Sequence, residues 1–105
     1  MLEPMWTPIR KAELVLQMQK AEEVLEGDLL TFWRLIRIEP EKWSEEEFGK
    51  EGGGFWVVAI YGRKVIWYND IEEGFNVSDY KSYGVIDDYS CEQDELNWTL
   101  IKLYR

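Results

Sequence analysis

Apolar positions repeat at spacings of three and four from Leu14 through Met18, Ala21 and Leu25 to Leu29, the single stripe of an amphipathic helix. Thr7 suits its N-cap, Pro8 its first helical position, where a missing N–H costs nothing, and Gly27 its stop. The pattern predicts a helix over 8–26. Residues 30–38, Leu-Thr-Phe-Trp-Arg-Leu-Ile-Arg-Ile, are rich in aromatic and β-branched side chains and predict a strand ended by Glu39-Pro40. Ser44 with Glu47 three places on has the capping-box pattern, so residues 45–48 form either a single helical turn or an acidic loop; a helix so short has little cooperative stability.

The clearest signal is a hairpin, with strands over 55–61 and 64–69 joined by Gly62-Arg63. Glycine at the first loop position suits a type II′ turn, whose twist matches that of the strands. A two-residue loop sets Tyr61 against Lys64 and, with unbroken pairing, Trp56 against Asn69. One face then carries Trp56, Val58, Ile60, Val65 and Trp67, and the other Phe55, Val57, Ala59, Ile66 and Tyr68. Both faces are apolar, so either both are covered or one is used for binding.

Two further short strands are expected at 75–78 and 83–89. Ser90 with Gln93 repeats the capping-box pattern, and the acids at 92, 94 and 95 favour a helix N-terminus, which predicts a last helix over 91–103 with Leu96, Leu100 and Leu103 on its stripe. The fold class that follows is α+β: one domain over 1–105, an antiparallel sheet of four to five strands with the N- and C-terminal helices packed on one face.

At 105 residues and 46% hydrophobic content, the chain has the composition of a globular domain with one core. No apolar run approaches the roughly 20 residues of a membrane-spanning helix. Glu3, Pro4 and Pro8 stand where a signal peptide would have a basic segment and an apolar stretch, so a cytoplasmic protein is expected. A single cysteine, Cys91, excludes an internal disulfide and agrees with a reducing compartment.

Charge adds the most to this picture. The formal net charge is -9, and residues 70–95 hold nine carboxylates against one cation, Lys81. Such a field repels phosphate backbones and attracts a basic partner, so direct nucleic-acid binding is not expected and a basic protein partner is.

The chemistry available is narrow. With no histidine, the chain cannot build a histidine triad, a Cys-His dyad or a histidine zinc site from its own residues. Cys91 lies among Asp87, Asp88, Glu92, Asp94 and Glu95, which oppose a thiolate. Asp70-Ile71-Glu72-Glu73-Gly74 places glycine one position too early for a calcium loop of the EF-hand kind. Asp87, Asp88 and Asp94 are the remaining nominees for a weak divalent-cation site, and Asp70 with Asp87 for a two-carboxylate hydrolase. Neither a metal nor any other cofactor is expected, and the chain reads as a binding protein, not an enzyme.

Aromatic residues are interleaved with the acids from Trp67 to Glu95. Either they fill the core while the acids confer solubility, or they form an outward-facing docking surface, with rings as anchors and carboxylates for steering. The docking reading nominates Trp67, Tyr68, Asp70, Glu72, Glu73, Tyr80, Tyr83, Asp87, Asp88 and Tyr89.

The stretch Gly54-Phe55-Trp56-Val57-Val58-Ala59-Ile60, continued by Val65 to Asn76, resembles small bacterial proteins over about residues 53–95, and the resemblance implies no activity, ligand or catalytic residue. Size and charge offer an analogy with immunity proteins that neutralise a toxin. The functions expected are therefore an immunity- or antitoxin-like inhibitor of a basic toxin or nuclease, a DNA mimic that occupies a DNA-binding protein, a carboxylate hydrolase, or a homodimeric domain paired through the hairpin.

Overall fold

The structure, a computed structural model, describes residues 7–105. Its order is helix α1 (Lys11–Val24), helix α2 (Gly27–Ile36), strand β1 (Arg37–Trp43), a 3-10 turn (Lys50–Gly52), strands β2 (Phe55–Tyr61), β3 (Lys64–Asn69) and β4 (Gly74–Asp79), and helix α3 (Leu96–Tyr104). The four strands form one antiparallel meander in the order β1-β2-β3-β4, so the fold is α+β. Among the described residues, no helix is long and apolar enough to cross a membrane.

The N-terminal helix starts three residues later than its cap pattern predicts. Ile9 donates its N–H to Asp70 Oδ2 at 2.7 Å and accepts the Trp56 indole N–H at 3.1 Å, which pins this stretch outside the helix, and Arg10 becomes the N-cap. Gly27, read as a stop, opens α2 instead. The expected strand at 30–38 is mostly that helix. Phe32, Trp33 and Ile36 are buried while Thr31, Arg34 and Leu35 are exposed, a three-to-four burial period against the helices and sheet that overrides the residues' strand preference.

Strand β1 begins only at Arg37 and runs through Pro40, where the sequence predicts an end. Its register against β2 jumps from Arg37↔Ala59 to Glu41↔Val57, leaving residues 38–40 out of the ladder. Proline is tolerated there because β1 is an edge strand and the ladder is already broken.

The hairpin turns at Gly62, whose φ of +60° suits the first position of a type II′ turn. Tyr61 faces Lys64 as expected, but the ladder slips between Ala59↔Ile66 and Val57↔Trp67, so Trp56 pairs with Tyr68, not with Asn69. This β-bulge at Val58 turns Val58 and Ala59 toward the same side and exchanges the faces of the residues before them. Val58, Ala59, Ile66 and Tyr68 therefore join Leu14, Trp33, Phe75, Leu96 and Leu100 in the core beneath the three helices. Phe55, Val57, Val65 and Trp67 join Trp43 and Ile86 in a second core on the other face.

That second face is covered by chain without regular structure. Ser44 and Val85 form an isolated parallel bridge, with Ser44 N–H on Gly84 carbonyl at 2.9 Å and Ile86 N–H on Ser44 carbonyl at 2.8 Å. Residues 83–89, expected as a strand, thus cross the sheet as a lid whose Ile86 and Tyr89, with Tyr80 shortly before them, pack on this second core. Both faces of the hairpin are thus covered, one by the helices and the other by this segment.

Candidate functional site

The lid is tied down by buried polar side chains. Asn69 donates to Tyr89 Oη at 3.0 Å and to the Ser90 carbonyl at 2.9 Å, while its Oδ1 accepts the N–H groups of Ile71 and Glu72. Asn76 Oδ1 accepts the Ser90 hydroxyl at 2.9 Å and the Glu92 N–H at 2.7 Å, and its Nδ2 donates to the Glu92 carbonyl at 3.1 Å. Trp67 Nε1 donates to Ser78 Oγ at 2.9 Å, and the Ser78 hydroxyl donates to the Asp88 carbonyl. Phe75 N–H reaches the Asp94 carbonyl at 2.8 Å. These bonds hold residues 90–94 extended along β4, which is why α3 starts at Leu96 and not at 91: Ser90, read as a cap, is spent on Asn76.

The site residues expected from sequence divide sharply. Trp67, at 0% exposure, and Tyr68, at 5%, are core residues on opposite faces of the sheet and present nothing to a partner. Asp70 is 8% exposed and bound to Ile9. The docking surface expected there does not form, because β3 is a central strand covered on both sides. Tyr80 and Tyr89 are half-buried against the second core; Tyr80 meets Trp43 edge-on at 5.1 Å and donates to the Gly62 carbonyl. Glu72 is half-buried and accepts from Gln93, and Glu73 is exposed beside α1.

Tyr83, Asp87 and Asp88 stand on the outer surface of the lid. Tyr83 is 66% exposed, yet its ring lies 4.8 Å from that of buried Trp43 and its hydroxyl donates to Glu41. Glu41 also accepts the Trp43 indole N–H at 3.1 Å, and these two bonds, Tyr83 first, hold its carboxyl below the usual range. The same bond raises the Tyr83 phenol. Asp87 accepts the Lys81 N–H at 2.5 Å, and the Asp88 carboxylate is exposed.

The Ser44–Val85 bridge adds residues that the sequence reading left in a loop. Glu45, 3% exposed, folds its carboxylate back onto the N–H groups of Glu47, Phe48 and Gly49 at 2.6–3.0 Å, so neither a capping box nor a helical turn forms. That knot turns Glu46 and Glu47 outward and leaves Phe48 47% exposed, its ring 4.4 Å from Tyr89. The signal was present as three acids followed by an aromatic residue, the composition that marks residues 70–95.

The alternatives requiring clustered acids are not assembled. Asp70 belongs to the helix side of the sheet and Asp87 to the lid side, so they form no hydrolase pair. Asp94 pairs with Lys102 at 2.5 Å while Asp87 accepts the Lys81 backbone N–H, and among the described residues no three His, Cys, Asp or Glu side chains are grouped to hold a metal ion. Comparison with protein-family models, curated proteins and solved structures finds no match.

Proposed function

We propose that this chain is a stoichiometric binding domain that docks on a basic protein through the layer built by residues 44–48 and 80–90, as an immunity protein or antitoxin would cover the basic active site of a nuclease or similar toxin. The observation that carries this reading is the Ser44–Val85 bridge, which sets Phe48 and Tyr83 in one layer with Glu46, Glu47, Asp87 and Asp88. Each exposed ring rests on a buried or half-buried one, so little rotamer freedom is left to lose on docking. Aromatic anchors supply buried area, and the carboxylates around them steer a cationic surface and speed its approach.

The test is affinity capture from the source cell with wild type and the double variant Tyr83→Ala/Asp87→Lys, each washed over a range of salt. The expected result is a basic protein, retained at low salt, released as salt rises and lost with the folded double variant. Capture of only neutral or acidic proteins, or retention indifferent to salt and to the substitutions, overturns the proposal. If duplex DNA competes for the captured protein, the inhibitor works as a DNA mimic.

A further inference from the structure

At the tip of the β2–β3 hairpin the charge of the molecule reverses. A cleft of about 470 Å³ is lined by Tyr61, Arg63, Lys64, Asp79, Tyr80 and Lys81, three cations against one acid in a chain where acids outnumber bases 21 to 12. Its volume falls in the range of small-molecule sites, roughly 300–1,000 Å³.

The fold gathers these cations and leaves two of them without a partner. Lys64 stands opposite Asp79 in the β3–β4 ladder, and its Nζ meets Asp79 Oδ1 at 2.6 Å. The Arg63 guanidinium and the Lys81 ammonium have no hydrogen bond or ion pair among the described residues. Their backbones are nevertheless held together. Tyr80 N–H donates to the Arg63 carbonyl at 2.9 Å and Lys81 N–H to Asp87 Oδ2 at 2.5 Å, so Lys81 is pinned from both sides beside the turn. The two rings are fixed as well. Tyr80 meets Trp43 edge-on at 5.1 Å with its hydroxyl on the Gly62 carbonyl at 2.9 Å, and Tyr61 meets Phe32 edge-on at 5.1 Å. Cations held close repel one another, and an anion between them removes that cost.

We propose that this cleft binds a small phosphate monoester with a flat organic body, the phosphate held by Arg63 and Lys81 and the body lying against the rings of Tyr61 and Tyr80. A phosphate monoester carries about −1.5 to −2 at neutral pH, which matches two free cations. Arginine presents a planar fork to two of its oxygens and lysine a point charge to the third. A carboxylate brings a single charge and two oxygens, and would leave one of the cations unmatched. A nucleic-acid strand is disfavoured, because its other phosphates would face the net charge of -9. The anchored rings supply a surface for a flat body with little rotamer freedom left to lose.

The experiment is a titration of the full chain at constant low ionic strength, followed by amide chemical shifts, with phenyl phosphate, inorganic phosphate and phenol. Phenyl phosphate is expected to move the amides of Gly62, Arg63, Lys64 and Lys81 saturably and to bind more tightly than either fragment. Arg63→Ala/Lys81→Ala, at two exposed positions where the fold tolerates change, is expected to weaken it at least about tenfold, one decade of dissociation constant. Asp79→Asn releases Lys64 to the cleft and is expected to tighten binding at least about threefold. Lys20→Ala/Lys50→Ala removes the same charge from exposed positions elsewhere and is expected to leave the affinity within about twofold. Adenosine monophosphate and a phosphotyrosine tripeptide then distinguish a free nucleotide from a phosphorylated side chain of a partner, the tighter of the two naming the source. No saturation by phenyl phosphate below about 50 mM, equal affinity for phenol or inorganic phosphate, undiminished binding by the Arg63/Lys81 variant, equal loss in the Lys20/Lys50 variant, or failure of both larger esters overturns the proposal.

Discussion

At the scale of single residues, buried polar side chains do the work that regular structure does elsewhere. Asn76 alone satisfies a hydroxyl, an N–H and two carbonyls, joining β4 to residues 90–92. Asn76→Ala would orphan those groups, and each buried one left unsatisfied costs about 1–3 kcal/mol. We expect a loss of at least about 2 kcal/mol in urea unfolding, with early exchange of the Glu92 amide. A loss below about 0.5 kcal/mol would show that the network is not holding the lid. Asp70 makes a different prediction. Burial pushes its carboxyl up, and the Ile9 N–H and Lys42 offset this only in part. The folded chain therefore keeps this proton to higher pH than the unfolded one, where aspartate titrates near about 3.9. That contribution to stability is complete below the unfolded value and is lost as pH rises through the folded one. Relative to Asp70→Asn, wild type is expected to lose stability with rising pH across this window and then level off; urea midpoints between about pH 3 and pH 7 check it, and a constant difference refutes it.

At the scale of elements, close backbone approach fixes how the lid meets the sheet. A Cβ on Gly74 would stand 2.3 Å from Gln93 Cα, so Gly74→Ala must push residues 92–94 off β4. Overpacking of this kind costs about 1–3 kcal/mol, and here it should also expose the Phe75 N–H by breaking its bond to Asp94. Faster exchange of that amide, with α3 otherwise intact, is the expected result. The elements differ in how far the sequence announces them. The hairpin was legible because its turn and both strands are local signals, and the sheet-and-helix class followed from it. The helix over Gly27–Ile36 was not, because aromatic and β-branched residues prefer strands until a core on one side selects a three-to-four period. The bulge at Val58 was equally hidden, since one extra residue exchanges faces without changing composition. The candidate site divides in the same way: Tyr83, Asp87 and Asp88, expected in a strand, stand exposed on irregular chain, whereas Trp67 and Tyr68 share that acidic neighbourhood in sequence but sit in the central strand. Phe48 joins them only through the long-range pairing of Ser44 with Val85.

Over the whole molecule, 21 acids face 12 bases, and the surplus is not balanced by pairing. The ion pairs, such as Lys64–Asp79 and Lys11–Glu39, lie at the surface, where each contributes about 0–1 kcal/mol. Salt weakens those pairs, but it also screens a net charge of -9 confined to a small body, and the screening length shortens to about 10 Å at 0.1 M. The repulsion is many-bodied and extends over the lid, while each pair is short and local, so screening the repulsion should win. We expect the urea midpoint to rise as NaCl increases from about 10 mM to about 300 mM, and Glu46→Lys/Asp88→Lys, which replaces two exposed acids, to flatten that rise. A basic partner would act on the folded chain as salt does, but at a defined place, stabilising it by mass action where Glu46, Glu47, Asp87 and Asp88 meet its cations. If added salt lowered the midpoint instead, the pairs would outweigh the surplus, and these acids would be counter-charges of the fold with no repulsion left for a partner to relieve.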